Sequence, residues 1–543
     1  MELIKNTTKD KLRGGFYTPT PIVQFILKWA SLDSSLMEIL EPSCGDGIFL
    51  KELKKNKYPF KSILGIEFDE NEADKSRKIN LRDSKIITAD FHEFCNTTDK
   101  KFDLIVGNPP YIRYQYFDRI QQQSAMDIFK KAGLKYSKLT NAWVSFIVGS
   151  ILLLKENGKI GFVVPAEILQ VSFAKTIRKF LVDIFNKISI VSFEQLVFPD
   201  IQQEVVLLLC EKNNSNQHNI EHIEVQDLTK LNTLDISKLR QPKKRIDFHS
   251  NKWTFYFLNQ KEIDFIEEIK GNELFKTLDE FAKVEVGITT GANPYFTVPY
   301  SIVEKYDLQR YAKKMVGRSV QVPSAIFTEK DWEFNRDNDV RAHLLVFPKK
   351  ENINGHRGIH NYLELGAKTG INKGYKCSIR DEWQIVPSLW ISDALFIRRN
   401  NIFPKFILNE AKAYTTDTMH RVQINSGINQ QALIASYYNS LSLAFTEISG
   451  RSHGGGVLEL MPNEVENILI PYNENNFDLL IEIDLMLRKK VNILQILEYT
   501  NQQILHDNYG FSKNDIVLAN NIWKKLSNRR LKRGKKLKND LRS

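Results

Sequence analysis

The first 215 residues alternate short apolar runs with stretches of helical periodicity. Short apolar runs without polar alternation read as strands covered on both faces. They fall at 38–40, 63–66, 85–88, 102–106, 160–164, 188–193 and 204–212, seven in all. Between them, Ile22, Val23, Phe25, Ile26 and Trp29 share one helix face, and Trp143, Phe146, Ile147 and Ile151 another. Thr18 is expected as the N-cap of the first helix with Pro19 opening it, and Gly158 is expected to close the second. Strands alternating with helices predict an α/β domain.

The chemistry sits where these strands end. After the first comes Glu41-Pro42-Ser43-Cys44-Gly45-Asp46-Gly47, a tight turn into a helix at Ile48. Glycines there let backbone approach a ligand while helix N–H groups point at it. The second strand ends at Glu67, twenty residues after Gly47, where a carboxylate can accept both hydroxyls of a ribose. The third ends at Asp90-Phe91, placed to hold an adenine amino group. The fourth runs into Gly107 and then Asn108-Pro109-Pro110-Tyr111. Two prolines remove two N–H donors, so this turn presents acceptors. The Asn108 amide oxygen and the Pro109 carbonyl can converge on one NH₂ group, with Tyr111 as a flat surface for a planar partner.

Size and charge narrow the partners. A chain of 543 residues exceeds one core and divides into two domains or three. Its formal charge of +11 favours a polyanion. Cys44, Cys95, Cys210 and Cys377 lie far apart without metal-ligand spacing, which predicts a reduced, cytoplasmic protein with no disulfide and no metal. No membrane partner is expected, since no signal core or spanning stretch occurs.

Residues 213–219 read as a polar loop, and 236–250 are basic and poorly patterned. The expected divisions are therefore 1–235, a basic linker over 236–255, and 256–543. In the last part, 284–296 reads as a glycine-studded strand and turn with aromatics, and 449–471 carries Gly454-Gly455-Gly456. Residues 477–505 predict one long amphipathic helix on Leu480, Ile483, Leu487, Val491 and Leu494. The final twenty residues hold ten basic side chains against one acid, and read as a mobile tail able to grip phosphates.

The Thr-Pro helix, glycine turn, Glu67, Asp90 and Asn-Pro-Pro-Tyr, in this order, resemble the gamma-class, TaqI-like DNA adenine-N6 methyltransferases of restriction-modification systems. That resemblance implies a Rossmann-like class I methyltransferase domain, built on a mainly parallel seven-stranded sheet, followed by an α+β target-recognition domain. It implies S-adenosylmethionine as cofactor, with Thr18, Glu41 and Ser43 at its methionine end, Glu67 and Phe68 at the ribose, and Asp90 at the adenine. Gly45, Phe91, Pro110 and Phe146 would complete the cofactor site. Asn108, Pro109, Tyr111 and Phe198 would serve catalysis, the two aromatics enclosing a flipped base. The implied partner is double-stranded DNA, bound by a monomer, with a cognate restriction endonuclease acting separately. Three rival activities stand beside this one. RNA bases and protein glutamine are methylated through the same tetrapeptide. DNA cleavage would use Asp393 with Glu410-Ala411-Lys412, and the thirteen residues before Gly14-Gly15 leave no room for an upstream nuclease.

Overall fold

The computed structural model describes residues 17–31, 36–112, 116–136, 141–171, 174–198, 204–213, 217–240, 244–246, 252–353, 356–453 and 456–540. Gly14, Gly15, Pro199, Gly454 and Gly455 lie outside the described residues. The chain divides into two compact units, Met1–Asp264 and Phe265–Ser543.

The first unit is built on a mixed sheet. Its strands are β1 (Glu38–Glu41), β2 (Ser62–Glu67), β3 (Ser84–Thr88), β4 (Phe102–Gly107), β5 (Leu154–Pro165), β6 (Lys187–Phe193), β7 (Val205–Glu211), β8 (Asn219–Val225) and β9 (Lys244–Arg245). They lie in the order β3-β2-β1-β4-β5-β7-β6-β8-β9. Strands β1 to β5 run parallel, with Ile39 between Ile63 and Leu104. Parallel neighbours need crossover connections, which α1 (Thr20–Ala30), α2 (Ile48–Asn56), α3 (Glu70–Arg77), α4 (Phe91–Thr97), α5 (Arg119–Lys131) and α6 (Ala142–Leu152) flank or supply. Strand β7 is antiparallel to both β5 and β6, and β8 is again parallel to β6. Ile22, Val23, Ile26 and Trp29 of α1 join Phe49 and Leu53 of α2 and Val163, Leu207 and Leu209 of the sheet in one buried cluster.

The expected seven strands are present with two more. In β8, Ile220, His222 and Val225 are buried while Asn219, Glu221, Ile223 and Glu224 stay partly exposed, a mixture of polar and apolar burial that is hard to read from sequence. The stretch expected as a basic linker supplies β9 and then Trp253 and Phe255, both buried, with the buried Tyr256 just beyond it. Lys244 there donates to the Tyr256 carbonyl (2.7 Å) and lies 3.3 Å from Glu221.

Two helix ends also differ. Helix α1 starts at Thr20, with Pro19 in the cap position and no side-chain cap, so Pro21 is its first-turn proline and Thr18 precedes the cap. Helix α6 stops at Leu152 rather than near Gly158. Leu154 already pairs with Phe102, and the register then jumps so that Lys159 pairs with Leu104. Gly158 therefore lies in an irregularity of β5, while Lys155 beside it pairs with Glu38 and Asp103 at 2.8 and 2.9 Å.

The second unit is α+β. One four-stranded antiparallel sheet joins Ala282–Val286, Met419–Ile424, Ala394–Ile397 and Phe406–Leu408 in that order. Another joins Thr297–Val298, His343–Leu345, Ala312–Val316 and Tyr414–Thr415. The helix expected over 477–505 is two helices, Leu479–Arg488 and Ile493–Asn501. Lys490 turns left-handed between them (φ 56°), and Asn492 caps the second through the Leu494 amide. The basic end is a helix over Lys513–Asp540 rather than a loose tail.

Candidate functional site

Running outward from β1, the chain fills β2 and β3 on one side, then returns to place β4 and β5 on the other. Ligands of open α/β sheets bind beyond the carboxyl ends of strands at such a reversal. Here those ends are Glu41 and Gly107, and the two turns that follow are tied together: the Ser43 hydroxyl donates to the Asn108 carbonyl at 3.3 Å.

The glycine turn needs its glycines. Gly45 (φ 51°) and Gly47 (φ 82°) are left-handed, and Gly47 opens α2. A side chain at Gly47 would strike Ile79 and Ser76, whereas nothing lies within 4 Å of a Cβ at Gly45. The Gly45 amide donates to Glu67 (2.8 Å), whose other oxygen accepts from the Asp69 amide (3.0 Å). Phe68, beside Glu67, is 66 % exposed. Glu41 is buried, and its Oε2 has no hydrogen-bond partner among the described residues. Burial, reinforced by Glu67 and Asp46, pushes its carboxyl well above the ordinary range. A buried carboxyl with one unsatisfied oxygen, at the start of a turn left open at Gly45, fits a ligand that brings a cationic or hydrogen-bond-donating group.

Asp90 caps α4, accepting the His92 and Glu93 amides at 2.7 and 3.1 Å, and its second oxygen accepts from the Gln121 side chain at 3.2 Å. Burial alone would raise this carboxyl. The interaction with His92 and the other hydrogen bonds outweigh it and hold Asp90 below its usual value. Phe91 stacks on Phe146 with ring centroids 4.8 Å apart, and both are buried. His92, with its Nε2 2.7 Å from the Ser145 hydroxyl, backs this wall. Gln121, His92 and Ser145 escaped the sequence reading, because nothing in their spacing marks them. Only tertiary packing brings α5 and α6 to Asp90.

In the Asn-Pro-Pro-Tyr turn the Tyr111 hydroxyl donates to the Asn108 amide oxygen at 2.7 Å, with the Val163 carbonyl 3.2 Å away as a second acceptor. Burial pushes this phenol well above its ordinary value. Tyr111 packs against the apolar cluster that contains the buried Phe198. Thr18 is buried just ahead of α1. Among the expected cleavage residues, the Asp393 carboxylate accepts the Ile424 amide (3.0 Å). No group of three or more His, Cys, Asp or Glu side chains among the described residues is arranged to hold a metal ion.

Strand ends carrying a glycine turn, the Glu67 carboxylate and the Asn108-Pro109-Pro110-Tyr111 turn suit an α/β enzyme for a nucleotide-like cofactor and an amino-group substrate. The family model described as N-6 DNA Methylase matches residues 3–285, and that described as Type II methyltransferase M.Eco57I, C-terminal domain, matches 250–505. The chain belongs to the N-6 DNA methylase family. Its relatives include Type II methyltransferase M.AccI of Acinetobacter calcoaceticus, 25% identical over 474 residues (83% of this chain, 84% of the relative). Type II methyltransferase M.XamI of Xanthomonas campestris pv. amaranthicola is 23% identical, over 85% of this chain and 86% of its own. Type II methyltransferase M.HincII of Haemophilus influenzae is 30% identical over 231 residues, 42% of either chain. Among solved structures, the type IIG restriction endonuclease BpuSI overlaps 96% of this chain and 67% of its own at 13% identity, with a TM-score of 0.40. The reaction expected from the sequence, methylation of DNA at an adenine amino group, is the reaction of this family. No helix among the described residues is long and apolar enough to cross a membrane.

Proposed function

We propose that this chain methylates the N6 amino group of an adenine flipped out of duplex DNA, at a specific sequence, as the modification partner of a separate restriction endonuclease. The observation that carries this reading is the Asn108 turn at the end of β4, held against the glycine turn by Ser43. The strand order β3-β2-β1-β4-β5-β7-β6, with β7 reversed, supports a Rossmann-like class I methyltransferase domain of TaqI-like type in the first unit. Target recognition then falls to the second unit, and a monomer on DNA completes the reading.

S-adenosylmethionine, when bound, supplies a methyl group on a positively charged sulfur that needs no further activation. The residues present fit it: Thr18, the unsatisfied Glu41 and Ser43 for the methionine end, Glu67 with Phe68 for the ribose, and Asp90 for the adenine amino group. Gly45, Phe91, Pro110 and Phe146 complete that surface.

The remaining work belongs to the base pocket. An adenine amine is a poor nucleophile because its lone pair is delocalised into the ring. With Asn108 Oδ1 and the Pro109 carbonyl accepting its two N–H groups, the nitrogen pyramidalises and its lone pair is freed for attack. Positioning then matters more than a strong base. The Tyr111 hydroxyl now holds the Asn108 acceptor, so the incoming amine takes over a hydrogen bond that the protein already makes. Flipping the base costs a few kcal/mol. Stacking between Tyr111 and Phe198 offsets it by roughly 1–3 kcal/mol per contact.

The test is transfer of labelled methyl to unmethylated duplex DNA followed by nucleoside analysis. N6-methyladenine is expected, while label in cytosine, RNA or protein defeats the reading. Asn108→Ala is expected to lower transfer by at least about 10²–10³-fold, the scale of removing one preorganised partner, with cofactor affinity nearly unchanged. A parallel loss of cofactor binding means that Asn108 holds the fold rather than the base.

A further inference from the structure

The turn between Ala312–Val316 and Val322 in the second unit combines a rigid base with an uncovered tip. Its base is held from several sides. The buried Gln321 accepts the Gly317 amide at 2.9 Å and donates to the Arg341 carbonyl at 3.0 Å. Asn335, also buried, donates to the Gln321 carbonyl (3.0 Å), and the Thr418 hydroxyl donates to the Gly317 carbonyl (2.6 Å). The tip, in contrast, presents Arg318, Ser319 and Val320 to solvent. Val320 is 84 % exposed, more than any other large hydrophobic side chain among the described residues. A valine fixed in that position by four hydrogen bonds beneath it gains nothing from the fold.

Charge points to the occupant. Arg318 and Arg341, with Val340, line an open cavity of about 550 Å³. Acids of the adjoining helix Glu329–Asp337 face other cations: Glu329 pairs with Lys314, Asp331 with Arg488 and Asp337 with Arg336, and the charge of Glu333 acts on Arg336 as well. Neither Arg318 nor Arg341 has an ion-pair partner among the described residues. Two guanidinium groups without ion-pair partners, lining one cavity, together with an exposed apolar tip on the same turn as Arg318, match a nucleic-acid groove, where phosphates flank base edges and thymine methyl groups.

Resting on the reading above, we infer that the Arg318-Ser319-Val320 turn with Arg341 is a duplex-DNA contact of the second unit. The arginines hold the DNA, and Val320 makes an apolar contact inside the groove that contributes to sequence choice. The side chains can be altered without touching the scaffold, because the fold uses the backbone groups of Gly317, Arg318, Ser319 and Arg341 rather than their side chains.

The experiment measures affinity and salt dependence for a short unmethylated duplex carrying the site that the wild-type protein methylates, together with binding of S-adenosylmethionine. Arg318→Ala/Arg341→Ala is expected to weaken duplex binding at least about tenfold. If both arginines meet phosphates, the double variant also lowers the salt slope by about two, near 0.9 for each phosphate no longer neutralised. Cofactor binding is expected to stay constant. Val320→Ser is expected to change which sequences are methylated, read by sequencing DNA treated with the variant. Restoration by Arg318→Lys/Arg341→Lys places the arginines on phosphates, and failure of lysine to restore binding places them bidentate on base edges. Either result supports DNA binding by this turn. Wild-type affinity, slope and methylation sites in the alanine and serine variants overturn it. A wild-type protein that methylates no DNA defeats the parent reading instead, so the two failures are distinguishable.

Discussion

At the scale of single residues, the site joins groups that ordinary folding would avoid. Glu41 is buried with an unsatisfied oxygen, and its carboxyl is pushed up by burial, with Glu67 and Asp46 nearby. In the unfolded chain the same group ionises near its ordinary value of 4.5. Between that value and the raised folded one, unfolding releases a proton. The cofactor-free protein therefore loses stability as pH rises above about 4.5 until the folded carboxyl itself ionises. Glu41→Gln removes that loss. Without cofactor the variant is expected to melt above the wild type near neutral pH, with the difference vanishing below about pH 4. It is also expected to bind S-adenosylmethionine more weakly. Thermal melts across pH, with and without cofactor, check both signs. A variant less stable than wild type at neutral pH means that Glu41 has a satisfied structural partner.

At the scale of elements, the strand ends were legible because both of their determinants are local. An apolar run marks the strand, and the residues at or just past its carboxyl end are the ones that the sheet presents at that edge. Glu41 and Glu67 close β1 and β2, and Asp90 and Asn108 follow β3 and β4 within two residues. Features set by partners distant in sequence were not legible. The Tyr111–Asn108 hydrogen bond and the Gln121–Asp90 contact arise only after packing. The break at Lys490 was hidden because the apolar spacing of Leu487, Val491 and Leu494 runs across it without a gap. The basic end misled most, since ten basic residues read as a tail while one of them anchors a helix. Arg530, 1 % exposed, pairs with the buried Glu447 at 2.6 Å and donates to the Gly456 and Ile402 carbonyls. Burial raises the Glu447 carboxyl despite that arginine. Removing one partner of a buried pair strands the other, at a cost of about 3–5 kcal/mol. Arg530→Ala is expected to destabilise the second unit by that amount in denaturant titrations. Arg530→Met combined with Glu447→Leu is expected to recover most of it. Equal losses in the single and double variants mean that the backbone carbonyls, not Glu447, account for the anchor.

At the scale of the whole molecule, the proposed reaction brings together two ligands of opposite charge. The cofactor is cationic at its sulfur, and the DNA is a polyanion meeting a chain of net charge +11. Their binding is expected to respond to salt in different ways. DNA contacts made by exposed lysines and arginines release counterions, so affinity falls steeply with ionic strength, whereas a buried carboxyl such as Glu41 is screened little. Raising sodium chloride from about 50 to about 200 mM is expected to weaken duplex binding by roughly 10³-fold if some six phosphates are held. Cofactor affinity is expected to change less than about twofold over the same range, since the carboxylates proposed for it, Glu41, Glu67 and Asp90, are buried or half-buried. Fluorescence anisotropy with a labelled duplex and calorimetry with S-adenosylmethionine measure the two side by side. If DNA affinity is as insensitive as cofactor affinity, the basic excess of the chain does not meet phosphates. Specificity would then rest on groove contacts alone, and transfer would persist at salt concentrations that dissociate electrostatically bound proteins.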